Sequence, residues 1–256
     1  MDSRSSVRNR LLWSIDGHAA VGSSRRSSPV RRTTLAPMVE VALFDLDDTL
    51  VGRTAAFLEW WGDEARSLGI DADTIHEVAD IRGGDYRLVR EFFVEIADHI
   101  ALRGDVELWY QGFRAAYPRY VRVTPSTTAA LKRLRANGWR IGIVTNGITV
   151  EQTAKIELTG LDVLVDGWAI SQAEDANKPA PAIFAACAAR IGVDLDSGGW
   201  MVGDSLDADI AGGNALGLTT VWIRHGRFLI DGDPVPDHTV DDVAEAVDLM
   251  LGADGA

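Results

Sequence analysis

Cysteine is almost absent from this chain. The 256 residues include one, Cys187, so no intramolecular disulfide can form and no thiolate cluster can hold a metal. That economy suits a reducing compartment such as the cytoplasm. Lysine is nearly as scarce, with only Lys132, Lys155 and Lys178. The five histidines, His18, His76, His99, His225 and His238, are scattered and lack the spacing of a ligand set. No run approaches the ~18 apolar residues of a membrane-spanning helix, which leaves no membrane partner to expect. Positive charge is in deficit, 25 Lys and Arg against 38 Asp and Glu, for a net charge of -13. Such a chain has no general affinity for nucleic acid or anionic membranes. An anionic substrate would need local positive charge or a cation. Apolar residues are plentiful at 46%, enough for one large domain or a core domain with an insertion.

Residues 1–37 differ in composition from the rest. Seven arginines stand against Asp2 and Asp16, so the segment carries +5 and residues 38–256 carry -18. The stretch RSSPVRRTT has no apolar period and reads as a disordered Arg/Ser-rich tail. An organelle transit peptide shares that composition. A solvated tail, or an upstream extension of a frame starting at Met38, explains it more simply. LLWSIDGHAAVG, interrupted by Asp16 and His18, is a poor secretory segment.

From Val39 onward, strand and helix patterns alternate. VEVALFD is a short apolar run with a sharp polar stop, the mark of a buried strand. Residues 54–120 then repeat apolar positions every three or four residues, with breaks near Gly69, Gly83-Gly84 and Gly104. This predicts a helical insertion of roughly four helices. Beyond it, TPSTTAALKRLRANG is a helix with a Ser/Thr start and a glycine stop. WRIGIVTNG, LDVLVDGWAIS, GGWMVGD and LTTVWI read as strands, with helical segments between them and VDDVAEAVDLML as a closing helix. Strands separated by helices predict an α/β fold, a doubly wound parallel sheet covered on both faces. The expected organisation is a tail at 1–37, a core at 38–53 and 121–256, and a helical insertion at 54–120.

Three of these strands end in small polar clusters: FDLDDT, VTN and VGD. In a doubly wound sheet the carboxyl ends of the strands line one crevice. Asp45, Asp47, Thr145, Asn146 and Asp204 are therefore expected to converge. Clustered carboxylates repel one another unless a cation sits among them or one is protonated. All-oxygen donors with room for water suit Mg²⁺. Asp45 and Asp47 leave the strand on the same side. A carboxylate nucleophile can form an acyl phosphate and divide one hard displacement into two easier ones. Its neighbour can protonate the leaving oxygen and later activate water. Lys178, at a loop–helix junction, could bring its ammonium to the crevice.

The ordered motifs DLDDT, VTNG, the lysine of NKPAPAIF, and GDSLDAD resemble those of the haloacid dehalogenase-like hydrolases. The resemblance covers roughly residues 39–225. It implies a Rossmann-like core and Mg²⁺, with the insertion acting as a helical cap of the C1 type. Carried over position by position, Asp45 is the nucleophile and Asp47 the general acid/base. Thr145 and the Asn146 backbone bind phosphate, and Lys178 screens charge. Asp204 is a metal ligand together with Asp45 and the Asp47 main-chain carbonyl. Asp209, the last acid of the fourth motif, is a further candidate at the metal. Asn214 departs from the common pattern, without evident consequence.

Each residue also has a plainer explanation. A lone aspartate can end a strand or cap a helix, and Asp48 is left in that role. Four motifs in order outweigh this explanation for Asp45 and Asp47. Asp209 stands evenly between a site acid and an exposed helix residue. Trp60-Trp61, Phe92-Phe93 and Trp109-Tyr110 are expected as core of the insertion, and Cys187 as packed. Gly83-Gly84 with Asp85, Tyr86 and Arg87 is a weak candidate for a substrate-facing loop. The resulting expectation is a Mg²⁺-dependent phosphatase of a small phosphorylated metabolite. Its rivals are a phosphomutase, a dehalogenase and a non-catalytic binding protein on the same fold. Dehalogenases of the family usually lack the second acid of the first motif, and Asp47 is present here. Chain order speaks against a response-regulator receiver.

Overall fold

The computed structural model describes residues 40–80 and 90–252, all of which fall within one compact unit. Strand β1 (Val41–Phe44) is buried along its whole length. Ala42 and Phe44 enter one apolar cluster, and Val41 and Leu43 the other. Alternate side chains point to opposite faces of a sheet. A strand covered on both faces must therefore be apolar throughout, which explains the unbroken VALF run.

Between β1 and β2 (Arg140–Thr145) the described residues form α1 (Arg53–Ser67), α2 (Ala72–Asp80), α3 (Arg90–His99), α4 (Val106–Ala116) and α5 (Pro125–Ala136). Helix α5 starts where Thr124 accepts a hydrogen bond from the Thr127 amide, with Pro125 in the first turn. Then come α6 (Thr149–Leu158), β3 (Gly167–Ile170), α7 (Ser171–Glu174), α8 (Pro181–Ile191) and β4 (Trp200–Gly203). The chain closes with α9 (Ala211–Ala215), β5 (Thr219–Ile223), β6 (His238–Val240) and α10 (Val243–Met250).

The six strands are parallel and lie in the order β3-β2-β1-β4-β5-β6. Five were expected. The sixth, β6, is only three residues long, too short to show a period. From β1 the chain winds outward through β2 and β3, then returns to the other side of β1 for β4, β5 and β6. The reversal at β1 opens a crevice at the carboxyl ends of β1, β2 and β4, where ligands bind in such sheets. On one face, α8 packs against β2 and β3. A side chain at Gly142 would meet Cys187 Sγ at 2.6 Å and Leu43 at 2.9 Å, so glycine lets that helix approach. Cys187 is fully buried, and burial pushes its thiol up to about 12, which makes it inert packing.

Helices α1, α3 and α4 meet through aromatic rings. Phe93 lies 4.5 Å from Phe113, 5.2 Å from Trp109 and 5.8 Å from Trp60, centroid to centroid. Trp60, Trp61, Phe92 and Phe93 are buried, with Trp109 and Tyr110 packed against them. These paired aromatics are core, and each ring pair adds about 0.5–1.5 kcal/mol beyond area burial. The segment around Gly83-Gly84, Asp85, Tyr86 and Arg87 lies outside the described residues, as does the 1–37 tail.

Candidate active site

The crevice holds a cavity of about 650 Å³ lined by Asp45, Asp47, Thr145, Lys178, Asp204 and Asp209 among others. The strands deliver Asp45, Thr145 and Asp204 in register. The Asp45 amide donates to Val202 O, extending the β1–β4 pairing one residue past β1. Thr145 ends β2 and Asp204 follows β4.

Lys178 is the hub. Its Nζ donates to Asp45 Oδ1 at 2.5 Å and to Asp209 Oδ1 at 2.6 Å, and its side chain is only 2% exposed. Burial works against its charge, but Asp209 and Asp45 outweigh that and hold its pKa above the usual lysine value. The Asn146 side chain fixes the lysine backbone from both sides. Its Oδ1 accepts from Lys178 N at 2.8 Å, and its Nδ2 donates to Lys178 O at 3.1 Å. Asn146 therefore positions the lysine through its side chain, whatever its main chain does.

Asp209 is fully buried. Its Oδ2 accepts from the Ser205 amide at 3.0 Å. A single helix was expected after β4. Residues Leu206–Ile210 instead form one wide turn ahead of α9, and that turn carries Asp209 inward. Asn214, the departure from the common pattern, accepts from Thr220 Oγ1 and donates to Val235 O.

Carboxylate oxygens of Asp45, Asp204 and Asp209 lie within 4.8 Å of one another. Burial pushes the Asp45 carboxyl up to about 8; Asp209 and Asp204 add to this, and Lys178 opposes it. Burial also raises Asp204 to about 6, helped by Asp209 and Asp48 and opposed by Arg227. Two acids with such raised proton affinity, in a polar cavity, form a cluster short of positive charge. Hard oxygen donors in this number fit Mg²⁺, which takes one or two carboxylates and keeps several waters.

Asp47 has a separate partner. Lys155 Nζ donates to Asp47 Oδ1 and Oδ2, both at 2.7 Å. Gln152 Nε2 donates to Asp47 Oδ2 at 3.1 Å and to Thr145 Oγ1 at 2.6 Å. Burial raises the proton affinity of Asp47, but Lys155, Arg53 and Gln152 outweigh it and hold the carboxyl below its ordinary value. The Asp47 side chain thus stands outside the acidic trio: Asp45 and Asp209 share Lys178, Asp204 lies 3.4 Å from Arg227 Nη2, and Asp47 sits on Lys155.

Asp48 behaves as a cap. Its Oδ1 accepts from the Thr54 amide at 2.8 Å, and its Oδ2 accepts from Arg53 Nε at 3.0 Å. It secures the start of α1, where Gly52 has no side chain to do so. Arg227 Nη2 donates to the main-chain oxygen of Asp204 at 2.7 Å. A second chamber of about 200 Å³ adjoins the crevice, sharing Asp47, Arg53 and Asn146 with it. Tyr110, Phe113, Arg114 and Tyr117 line its other side. Arg114 Nε pairs with Glu151 Oε1 across it, joining α4 to α6. Gly203 leaves room for Asp209, whose Oδ2 a side chain there would meet at 2.1 Å; this glycine, Lys155, Gln152 and Arg227 have no counterpart among the sequence-based expectations. The available signal was weak: a glutamine and a lysine three residues apart on the helix after VTNG, and a glycine just before a strand-end acid.

The family model for haloacid dehalogenase-like hydrolases matches residues 39–217. A glyceraldehyde 3-phosphate phosphatase of Pyrococcus abyssi is 32% identical, over 74% of this chain and 83% of its own length. A ribulose-1,5-bisphosphate 5-phosphatase of Halopiger xanaduensis is 30% identical, over 83% of this chain and all of its own. Among solved structures, a HAD phosphatase from Thermococcus onnurineus aligns with a TM-score of 0.56 at 27% identity, covering 84% of this chain and 98% of that one. A magnesium-bound HAD-hydrolase of Bacillus subtilis aligns with a TM-score of 0.67 at 21% identity, over 84% and 99% of the two chains, and so shares the fold.

Proposed function

Since this chain belongs to the haloacid dehalogenase-like hydrolases, we propose that it is a magnesium-dependent phosphatase of a small phosphorylated sugar or related metabolite. The observation that carries the reading is the Lys178 hub: one buried ammonium bonded to both Asp45 and Asp209, with Asp204 in the same oxygen cluster. That arrangement holds a carboxylate and a cation together at the mouth of a parallel sheet, where a phosphoryl group can be received.

In this reading Asp45 attacks phosphorus through a carboxylate oxygen. The bond from phosphorus to the ester oxygen breaks, and Asp47 delivers a proton to the departing oxygen. Water then gives a proton to Asp47 and attacks phosphorus. The bond to Asp45 breaks, phosphate leaves, and the Asp45 carboxylate is restored. In the free enzyme Asp47 is held ionised by Lys155, so the proton it delivers enters with the substrate, from the monoanionic phosphate ester, and the carboxylate left behind is the state that the base half needs. Lys178 screens the charge on Asp45 and on the incoming phosphoryl oxygens. Thr145 receives its hydrogen bond from Gln152, which leaves the hydroxyl proton to donate to phosphate. Asp45 and Asp204 would hold Mg²⁺, with the Asp47 main-chain carbonyl, while Asp209 supports the cluster through Lys178. A bound Mg²⁺ would supply charge neutralisation on the transferring group.

The adjoining 200 Å³ chamber suits a compact organic leaving group, and helices α1 to α4 serve as a cap over the site. The relatives named above are phosphatases of glyceraldehyde 3-phosphate and ribulose 1,5-bisphosphate, which supports a phosphorylated sugar as the substrate here. A dehalogenase reading is disfavoured by Asp47, since a halide leaves without a proton and an alkoxide does not. The test is phosphate release from a panel of sugar and polyol phosphates, with magnesium and with chelator, for wild type and Asp45→Asn. Release that needs magnesium and disappears in the variant is expected. Equal release by both proteins would overturn the covalent reading, and an isomerised sugar phosphate would point to a mutase.

A further inference from the structure

Lys155 is 5% exposed, on a helix whose sequence TVEQTAKIEL reads as mostly polar. Burying an ammonium is costly unless its partner is well placed. The partner is Asp47, 108 residues earlier, held through both carboxylate oxygens at 2.7 Å. Gln152, one turn before Lys155, touches the same carboxylate and also Thr145. The Tyr117 ring lies 5.6 Å from the ammonium and closes the other side. Both Asp47 and Lys155 line the chamber proposed for the leaving group.

Held this way, the carboxylate cannot swing freely. Two hydrogen bonds of 2.7 Å from the Lys155 ammonium and one of 3.1 Å from Gln152 fix its plane, and with it the direction in which an oxygen of Asp47 meets a leaving oxygen. The geometry points to Lys155 as the positioning residue of the proton-transfer step, aligning Asp47 with the leaving group of the substrate. The inference rests on the phosphatase reading above and adds a residue to it. A pair that merely stabilised the fold would affect every substrate alike. A positioning pair matters in proportion to how much the leaving oxygen needs a proton. An alkoxide needs one, and 4-nitrophenolate does not.

The experiment compares wild type, Lys155→Met, Asp47→Asn and the double variant, in full-length protein with magnesium. The probes are glycerol 1-phosphate and 4-nitrophenyl phosphate. Lys155→Met is expected to lower kcat on the alkyl ester by about 10²-fold, the usual worth of a positioned acid–base group. The fall on the aryl ester should be at least about tenfold smaller. On the alkyl ester the double variant should match Asp47→Asn to within about threefold, because the two residues act as one unit. If Lys155→Met does not fold, the double variant decides. It removes both buried charges together, and a rate well below that of Asp47→Asn would overturn the proposal. Equal losses on the two esters by a folded Lys155→Met would overturn it as well. If the wild type releases phosphate from neither ester, the phosphatase reading itself fails, a result distinct from either of these.

Discussion

Gly203 occupies a position where a single methyl group should disable the site without removing any reactive atom. It ends β4, with ordinary strand backbone, so the only cost of alanine is space. A methyl carbon there would lie 2.1 Å from Asp209 Oδ2, 2.3 Å from Cγ and 2.5 Å from Cβ. Ordinary contact begins near 3.4 Å, so Asp209 must retreat by more than 1 Å or β4 must move. Retreat takes its carboxylate away from Lys178 Nζ and the Ser205 amide, now 2.6 and 3.0 Å distant. A hydrogen bond to a charged group contributes about 1.5–3 kcal/mol, and overpacking costs about 1–3 kcal/mol. Some relaxation will recover part of that, so Gly203→Ala should destabilise the fold by about 2–4 kcal/mol. A misplacement of about 1 Å can lower turnover by roughly 10²-fold, and Lys178 loses one of its two anchors. The assays are denaturant unfolding without metal and kcat with saturating magnesium. An unfolding free energy within about 1 kcal/mol of wild type, with unchanged kcat, would refute the packing argument.

Other consequences follow from the same charges. Lys178→Met leaves Asp45 and Asp209 facing each other in a buried site and should cost about 3–5 kcal/mol at pH 8. That loss should shrink toward pH 5, because Asp45 can then take up a proton. An unfolding series across this range that shows a constant deficit would contradict the assignment. Magnesium affinity should also depend on pH. In the metal-free protein Asp45 and Asp204 are raised to about 8 and about 6. Raised acids favour the fold when protonated, so their contribution is most favourable at low pH and is lost as pH climbs through these values. A cation must displace those protons, so affinity should rise between about pH 6 and 8 and level off above. Calorimetric titration in two buffers of different ionisation enthalpy should show proton release on binding near pH 6.5, fading by pH 9. Binding without proton release would mean that the acids are already ionised.

Much of this site was visible in the sequence because its chemistry sits at strand ends. An apolar run that stops in an acid marks both the strand and the side of the sheet where it ends. Asp45, Thr145 and Asp204 could be placed at one crevice from that alone, and Lys178 stood out by being one of three lysines. The less visible features depend on contacts between distant segments. Lys155 looks like a solvent-facing lysine on a polar helix until Asp47 is seen above it. Gly203 is informative only once Asp209 fills the space beside it. Asp209 could equally have been exposed, and the wide turn at Leu206–Ile210, which no periodicity announces, makes it internal. Strand β6 was missed because three residues, flanked by the prolines of DPVPD and by a helix, carry no alternation.

The central claim is that Asp45 takes the phosphoryl group onto its own carboxylate. Borohydride reduces an acyl phosphate to an alcohol, so trapping during turnover should convert residue 45 to homoserine. Mass spectrometry of the digested protein reads this directly. The expected result is homoserine at position 45, dependent on magnesium and a turned-over phosphate ester. An unmodified Asp45 in an enzyme that is releasing phosphate, or reduction at another carboxylate instead, would contradict the account.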